Sequence, residues 1–188
     1  MKRYRIYSEF TPQAHNLEIV YSLLRRVERG ELSSNELPAV AVFMAFTIES
    51  YLNSVGQRRF PKWRERDSWR DKIKALHRDS GHVPDWDSAG LSLAIVLFNI
   101  RDRLAHGKSE TAESRAFETI EAATACLNDP AQPRPKPKWL VDFELELPSV
   151  KNRFQELLSY LAEIGGVERL DFLYKTLDYV TAERPGAK

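Results

Sequence analysis

Ala39-Val40-Ala41-Val42-Phe43-Met44-Ala45-Phe46 is apolar at every position. Pro38 stands just before it, and the pattern continues to about Gly56, which reads as one helix apolar on all its faces. Such a helix has no side to offer to water and belongs at the centre of a fold. The fully apolar run itself is far too short to span a bilayer. On its N-terminal side come Ser33 and Ser34, and before them Thr11 to Gly30 reads as an earlier helix. Thr11 is a candidate N-cap, Pro12 takes the first helical position and Gly30 is the stop. Leu17, Val20, Leu24 and Val27 recur at helical spacing and make one buried stripe.

On the C-terminal side the composition changes. Arg58 to Arg78 holds nine Lys or Arg residues against Glu65, Asp67 and Asp71, with Phe60, Trp63 and Trp69 interleaved. A loop through Pro61 and a short helix from Trp69 to His77 are expected, broken by Ser80-Gly81-His82-Val83-Pro84. Ser88 then caps a helix that runs to about His106, with Leu93, Val96, Leu97, Ile100 and Leu104 on one face. From Lys108 to Asn128 two readings stay open: Phe117, Ile120, Ala123 and Leu127 permit a helix, while the Thr-rich part equally suits extended chain. Pro130, Pro133, Pro135 and Pro137 make Asp129 to Pro137 an irregular connector. Trp139 to Leu147 alternates and reads as extended. Pro148-Ser149 opens a helix to about Ile164, and after Gly165-Gly166 a last helix carries Leu170, Leu173, Leu177 and Val180. The expectation is one domain, 1–188, with a core over about 11–164 and a helical extension over 167–183.

The formal net charge is +1, so the chain is not a polycation, and any affinity for nucleic acid must come from a local patch. The single Cys126 excludes an intramolecular disulfide and a Cys-rich zinc cluster. His15, His77 and His82 lack metal-ligand spacing, and there is no Gly-rich phosphate loop and no Ser or Cys nucleophile signature. No metal and no cofactor are expected. Met1 to Phe10 is charged and aromatic with no apolar stretch after it, unlike a signal peptide. A reducing, cytoplasmic setting without a membrane role is the expectation.

The chemistry gathers in Asn99-Ile100-Arg101-Asp102-Arg103-Leu104-Ala105-His106-Gly107. RNA carries its own nucleophile, the ribose 2′-hydroxyl. A histidine can take and return protons near neutral pH, and a guanidinium can stabilise the crowded phosphorane without a metal. His106 fits the first role and Arg101 the second. Asp102 lies four residues from His106 on one helical face, where its carboxylate can orient the imidazole. Arg101 lies about 140° around the axis from His106. Convergence therefore needs a last turn loosened at Gly107, or a two-fold related chain that brings two helix ends together. The same residues also suit a plain cationic last turn, since Arg101, Arg103, His106 and Lys108 sit where helix carbonyls are unpaired. Glu49, with Asn53 one turn on, lies in the apolar central helix, where a carboxylate needs a partner. Arg101 or His106 is the candidate for it. The Arg58–Arg78 stretch, with Trp63 and Arg64 foremost, suits RNA bases and phosphates, or else a solvated face anchored by aromatic rings.

Two segments together resemble the HEPN superfamily of all-α, nucleic-acid-associated domains. One is Ala45-Phe46-Thr47-Ile48-Glu49-Ser50-Tyr51-Leu52-Asn53. The other is Phe98 to Lys108, with its Arg, polar residue, short spacer, His and Gly. The region from Trp139 through the helix at Ser149 also sits where related proteins place a tryptophan and a final helix. The resemblance covers most of Thr11 to Ile164. It implies an all-α antiparallel helix bundle, a homodimer and, in active members, a metal-independent endoribonuclease acting on RNA. Arg101 and His106 match the catalytic pair, with Asp102 at the polar position, where the family most often has Asn. Glu49 and Asn53 would support the pair, while Arg103, Lys108, Trp63 and Arg64 would bind RNA. Many relatives are toxins or act in phage defence, some with an antitoxin protein as partner. Lys108 stands where members paired with a nucleotidyltransferase antitoxin often carry a tyrosine. A non-catalytic binding module is the rival reading, and a nucleotide-binding regulator using Arg101 and Arg103 is a third.

Overall fold

The computed structural model describes residues 4–107, 109–166 and 176–182. Six helices form the body: α1 (Pro12–Glu28), α2 (Leu37–Arg59), α3 (Trp69–Ser80), α4 (Ala89–His106), α5 (Ile120–Asn128) and α6 (Lys138–Gly165). They build a helical bundle in which α2 is the hub, packed against α1, α3, α4 and α6. Val40, Ala41, Met44, Ala45, Ile48 and Leu52 of α2 are wholly buried, as the all-round apolar pattern requires. By length and composition α2 could cross a membrane; here neighbouring helices cover most of its apolar side chains, while Val42 and Phe43 are half-buried and Phe46 is exposed. Leu17, Val20 and Leu24 supply the α1 stripe, and Leu93, Leu97 and Ile100 the α4 stripe. Gly90 lets α4 approach α6 closely: a Cβ there would stand 3.3 Å from the Leu157 backbone.

Helix ends follow the local chemistry. Ser68 Oγ accepts from the Asp71 N–H and Ser88 Oγ from the Leu91 N–H, satisfying donors that a first turn leaves free. Gly107 closes α4 with φ of 58°, a left-handed conformation open to glycine at little cost. Thr11 stands at the α1 N-cap without a side-chain cap; its carbonyl instead accepts from Ala14 and His15. Thr119 caps α5, resolving the open reading of that segment in favour of a short helix. Helix α5 buries none of its residues, and the proline-rich stretch after it is irregular.

Two expectations are corrected. Trp139 to Leu147 is helical, not extended, and α6 runs through Pro148 without a break. Proline costs a helix one donor and crowds the preceding turn. Here that cost is offset by a buried stripe on both sides of it, Leu140, Phe143, Val150, Phe154, Leu157 and Leu161, whose spacing is helical throughout. The second correction concerns the C-terminal extension. Thr176–Ala182 is a strand, β2, paired antiparallel with an N-terminal strand, β1 (Tyr4–Phe10), from Tyr4 opposite Ala182 to Phe10 opposite Thr176. Leu177 and Val180 therefore lie on a strand; Leu170 and Leu173 fall outside the described residues. Ile6, Val180 and Thr181, with three tyrosines, give the two segments a composition that favours strand. The all-α expectation holds for the bundle, to which the terminal segments add a two-stranded ribbon.

Candidate functional site

Helix α4 presents two different faces at its C-terminal end. Arg101 turns toward α2. Its Nη1 donates to Glu49 Oε2 at 2.5 Å, and its Nε and Nη2 donate to Asp102 Oδ1 at 3.0 and 2.7 Å. The guanidinium lies 4.7 Å from the centre of the Phe98 ring, one turn back on the same helix. Phe98 in turn stacks on Trp69 of α3 with ring centres 4.4 Å apart. The Arg101 side chain is only 22% exposed, so these contacts form where competition from water is reduced. The expected tie between Glu49 and the α4 arginine is present.

The other face carries His106. It is exposed and lines a shallow cleft of about 380 Å³ with Asn99, Asp102, Arg103 and Glu110. Asn99, Asp102, Arg103 and His106 recur at helical spacing, so this is one ridge of α4. Asp102 therefore belongs to both faces, lining the cleft while bonded to Arg101. That corrects the expectation that its carboxylate accepts from the imidazole: its hydrogen bonds go to the guanidinium. Arg101 and His106 do not bond to each other within one chain. Arg103 pairs with Glu110, whose other oxygen accepts from the Trp139 indole at 3.0 Å. Lys108 lies outside the described residues.

Behind Glu49 stands a residue that sequence reasoning missed. Lys72 of α3 is 1% exposed, and its Nζ lies 3.5 Å from Glu49 Oε1. Among the described residues no hydrogen-bond partner satisfies that nitrogen. The signal was available: Trp69, Ile73 and Leu76 mark the buried stripe of α3, and Lys72 falls within it. Glu49 thus holds one cation on each oxygen.

Asn53 plays a different part. Its Oδ1 accepts from the Trp63 indole N–H at 3.3 Å. Trp63 stacks on Phe60 with ring centres 5.5 Å apart, and a Cβ on Gly56 would collide with its indole. The expected stacking platform is thus packed onto α2, beside a cavity of about 420 Å³ lined by Phe60, Trp63, Arg64, Lys72 and others. Arg64 remains largely exposed and pairs with Asp67 at 3.3 Å. Several cations of the Arg58–Arg78 stretch are engaged within the chain. Arg59 pairs with Asp79 and donates to the Ile164 carbonyl at the end of α6. Arg70 lies over Trp69 and Trp86, and Lys72 is buried.

Of the remaining histidines, His77 is buried and satisfied on both nitrogens, by the Ile73 carbonyl at 2.8 Å and by the Tyr160 hydroxyl. Among the described residues no group of three or more His, Cys, Asp or Glu side chains is arranged to hold a metal ion.

No family model, curated protein or solved structure matches this chain.

Proposed function

We propose that this protein is a metal-independent endoribonuclease of HEPN type, acting as a cytoplasmic homodimer on single-stranded or looped RNA. His106 would serve as acid and base, and Arg101 would stabilise charge on the phosphorane. Asp102 would hold Arg101, a different role from the one expected of it. The observation that supports this reading most is the state of His106. It is exposed, it has no side-chain hydrogen bond among the described residues, and it shares a cleft with Arg103, a cation suited to a phosphate. An imidazole whose nitrogens hold no hydrogen bond among the described residues can exchange protons with a substrate. Arg101 faces away from that cleft within one chain, so the reading requires a second copy whose α4 end completes the site.

The test is cleavage of RNA in excess EDTA. The expected products carry cyclic-phosphate ends, and His106→Ala and Arg101→Ala each abolish cleavage while the protein stays folded. Intact RNA after prolonged incubation of the dimer would overturn the proposal.

One observation favours the rival reading of a binding module. Arg101 already gives three hydrogen bonds to two carboxylates, an arrangement that suits an anchor between α2 and α4. In that case RNA or a protein partner is bound but not cut, and His106→Ala leaves binding unchanged. A toxin or phage-defence role, with an antitoxin as partner, would be an extension of the nuclease reading.

A further inference from the structure

Lys72, Glu49, Arg101 and Asp102 form one connected row of alternating charge, running from the interior of α3 through α2 to the surface of α4. The contacts are 3.5 Å for Lys72–Glu49, 2.5 Å for Glu49–Arg101 and 2.7 Å for Arg101–Asp102. The row starts at Lys72, 1% exposed, and ends at Asp102, 48% exposed. Burying an ammonium without a hydrogen bond is costly, and Lys72 Nζ has none among the described residues. For packing alone, an apolar side chain of similar length would serve this position better.

The charge count suggests what the lysine does. Two carboxylates on one guanidinium leave a group of net −1, which repels a phosphate. Adding Lys72 brings the row to zero. We infer that Lys72 is a positioning residue for Arg101: its buried charge offsets Glu49, so that Arg101 is held in place by a carboxylate without losing its attraction for a phosphate. This rests on the nuclease reading above for its substrate, but not for its electrostatics. One unit charge at this depth, acting through a medium between water and dry protein, changes anion affinity by about tenfold.

The experiment compares the full-length protein with K72M, E49Q and the double variant K72M/E49Q, after thermal melts establish which are folded. Cleavage of a single-stranded oligonucleotide in EDTA gives KM and kcat separately. In parallel, inorganic phosphate is titrated against the Nε–H signal of Arg101, assigned with R101K. The net charge of the row is −1 in K72M, zero in the wild type and the double variant, and +1 in E49Q. KM and the phosphate Kd should follow that order: about tenfold weaker in K72M, near wild type in the double variant, and tighter in E49Q. The kcat of the double variant should stay low, because Glu49 no longer orients Arg101. If K72M does not fold, E49Q against the double variant reads the same charge. Equal phosphate Kd values across the folded variants would overturn the inference, as would a defect in K72M that the double variant does not repair. If the wild type cuts no RNA, the nuclease reading falls and the phosphate titration alone decides the role of Lys72.

Discussion

Glu49 and Arg101 join α2 to α4 through a 2.5 Å charged hydrogen bond, fifty-two positions apart in the chain. The contact is half-buried, and it ties the most buried helix of the bundle to the helix that carries the candidate chemistry. Charge-assisted bonds of this kind are short and about twice as strong as neutral ones.

Replacing Glu49 by glutamine should therefore do two things. Arg101 keeps an acceptor and its pair with Asp102 but loses its ion pair with Glu49, while Lys72 loses the carboxylate beside it. The expected cost is about 1–3 kcal/mol in unfolding free energy, measured by urea titration. Lys72→Met in the same background should recover part of that loss, since it removes the stranded charge. A double variant less stable than E49Q alone would show that the Lys72–Glu49 pair is not the source.

Gly56→Ala tests the placement of Trp63. The added methyl would occupy the space of the indole, so Trp63 must leave its seat on α2 and give up its bond to Asn53. Overpacking of this kind typically costs about 1–3 kcal/mol. The tryptophan emission should shift to the red, with most of that shift absent in a Trp63→Phe background. Unchanged emission and unchanged melting would mean that the ring does not rest there.

Much of this arrangement is legible in the sequence where the signal is local. Ser88, Gly81 and Gly107 mark helix ends because capping chemistry acts over three or four residues. Glu49 in an apolar helix announced the need for a cation, and Arg101 answers it. The failures arise where local and long-range signals conflict. Pro148 looks like a helix start, yet its ring angle is compatible with a helix, and the stripe on either side of it holds one together. Leu170, Leu173, Leu177 and Val180 happen to fall at helical spacing, while the strand they partly belong to is set by pairing with Tyr4–Phe10 at the other end of the chain. Which side of α4 Arg101 takes could not be read from spacing, because a long side chain follows its best partner, and that partner lies on another helix.

Glu36 should make stability depend on acid. The Ser33 backbone N–H, the Ser33 hydroxyl and Arg26 of α1 all bond to its carboxylate and lower its pKa to about 2. A depressed folded-state pKa adds stability above the unfolded carboxylate value of about 4.5, and that contribution is lost as the pH falls through about 2. Glu36→Gln removes it. Melting temperatures of wild type and variant should differ most above about pH 5 and converge toward about pH 2. A gap that is the same at both ends of the range would assign the effect to something other than this carboxylate.

His77 and Tyr160 make the last case, and it concerns the seam between α3 and α6. The Ile73 carbonyl can only accept, so His77 Nδ1 carries a proton; in the neutral ring Nε2 then accepts from the Tyr160 hydroxyl. The ring is 1% exposed, so water cannot readily replace a missing donor. Burial, with Asp85 and Glu163 nearby, pushes the Tyr160 phenol above its usual range, which keeps it protonated and able to donate. Tyr160→Phe should leave Nε2 unsatisfied and cost about 1–3 kcal/mol. Adding His77→Leu removes the orphaned nitrogen, so the double variant should be less destabilised than the sum of the two single changes. Denaturant titration of all four proteins gives the coupling directly. Strict additivity would mean that hydroxyl and imidazole do not bond in solution, and that α3 and α6 are held by their apolar contacts alone.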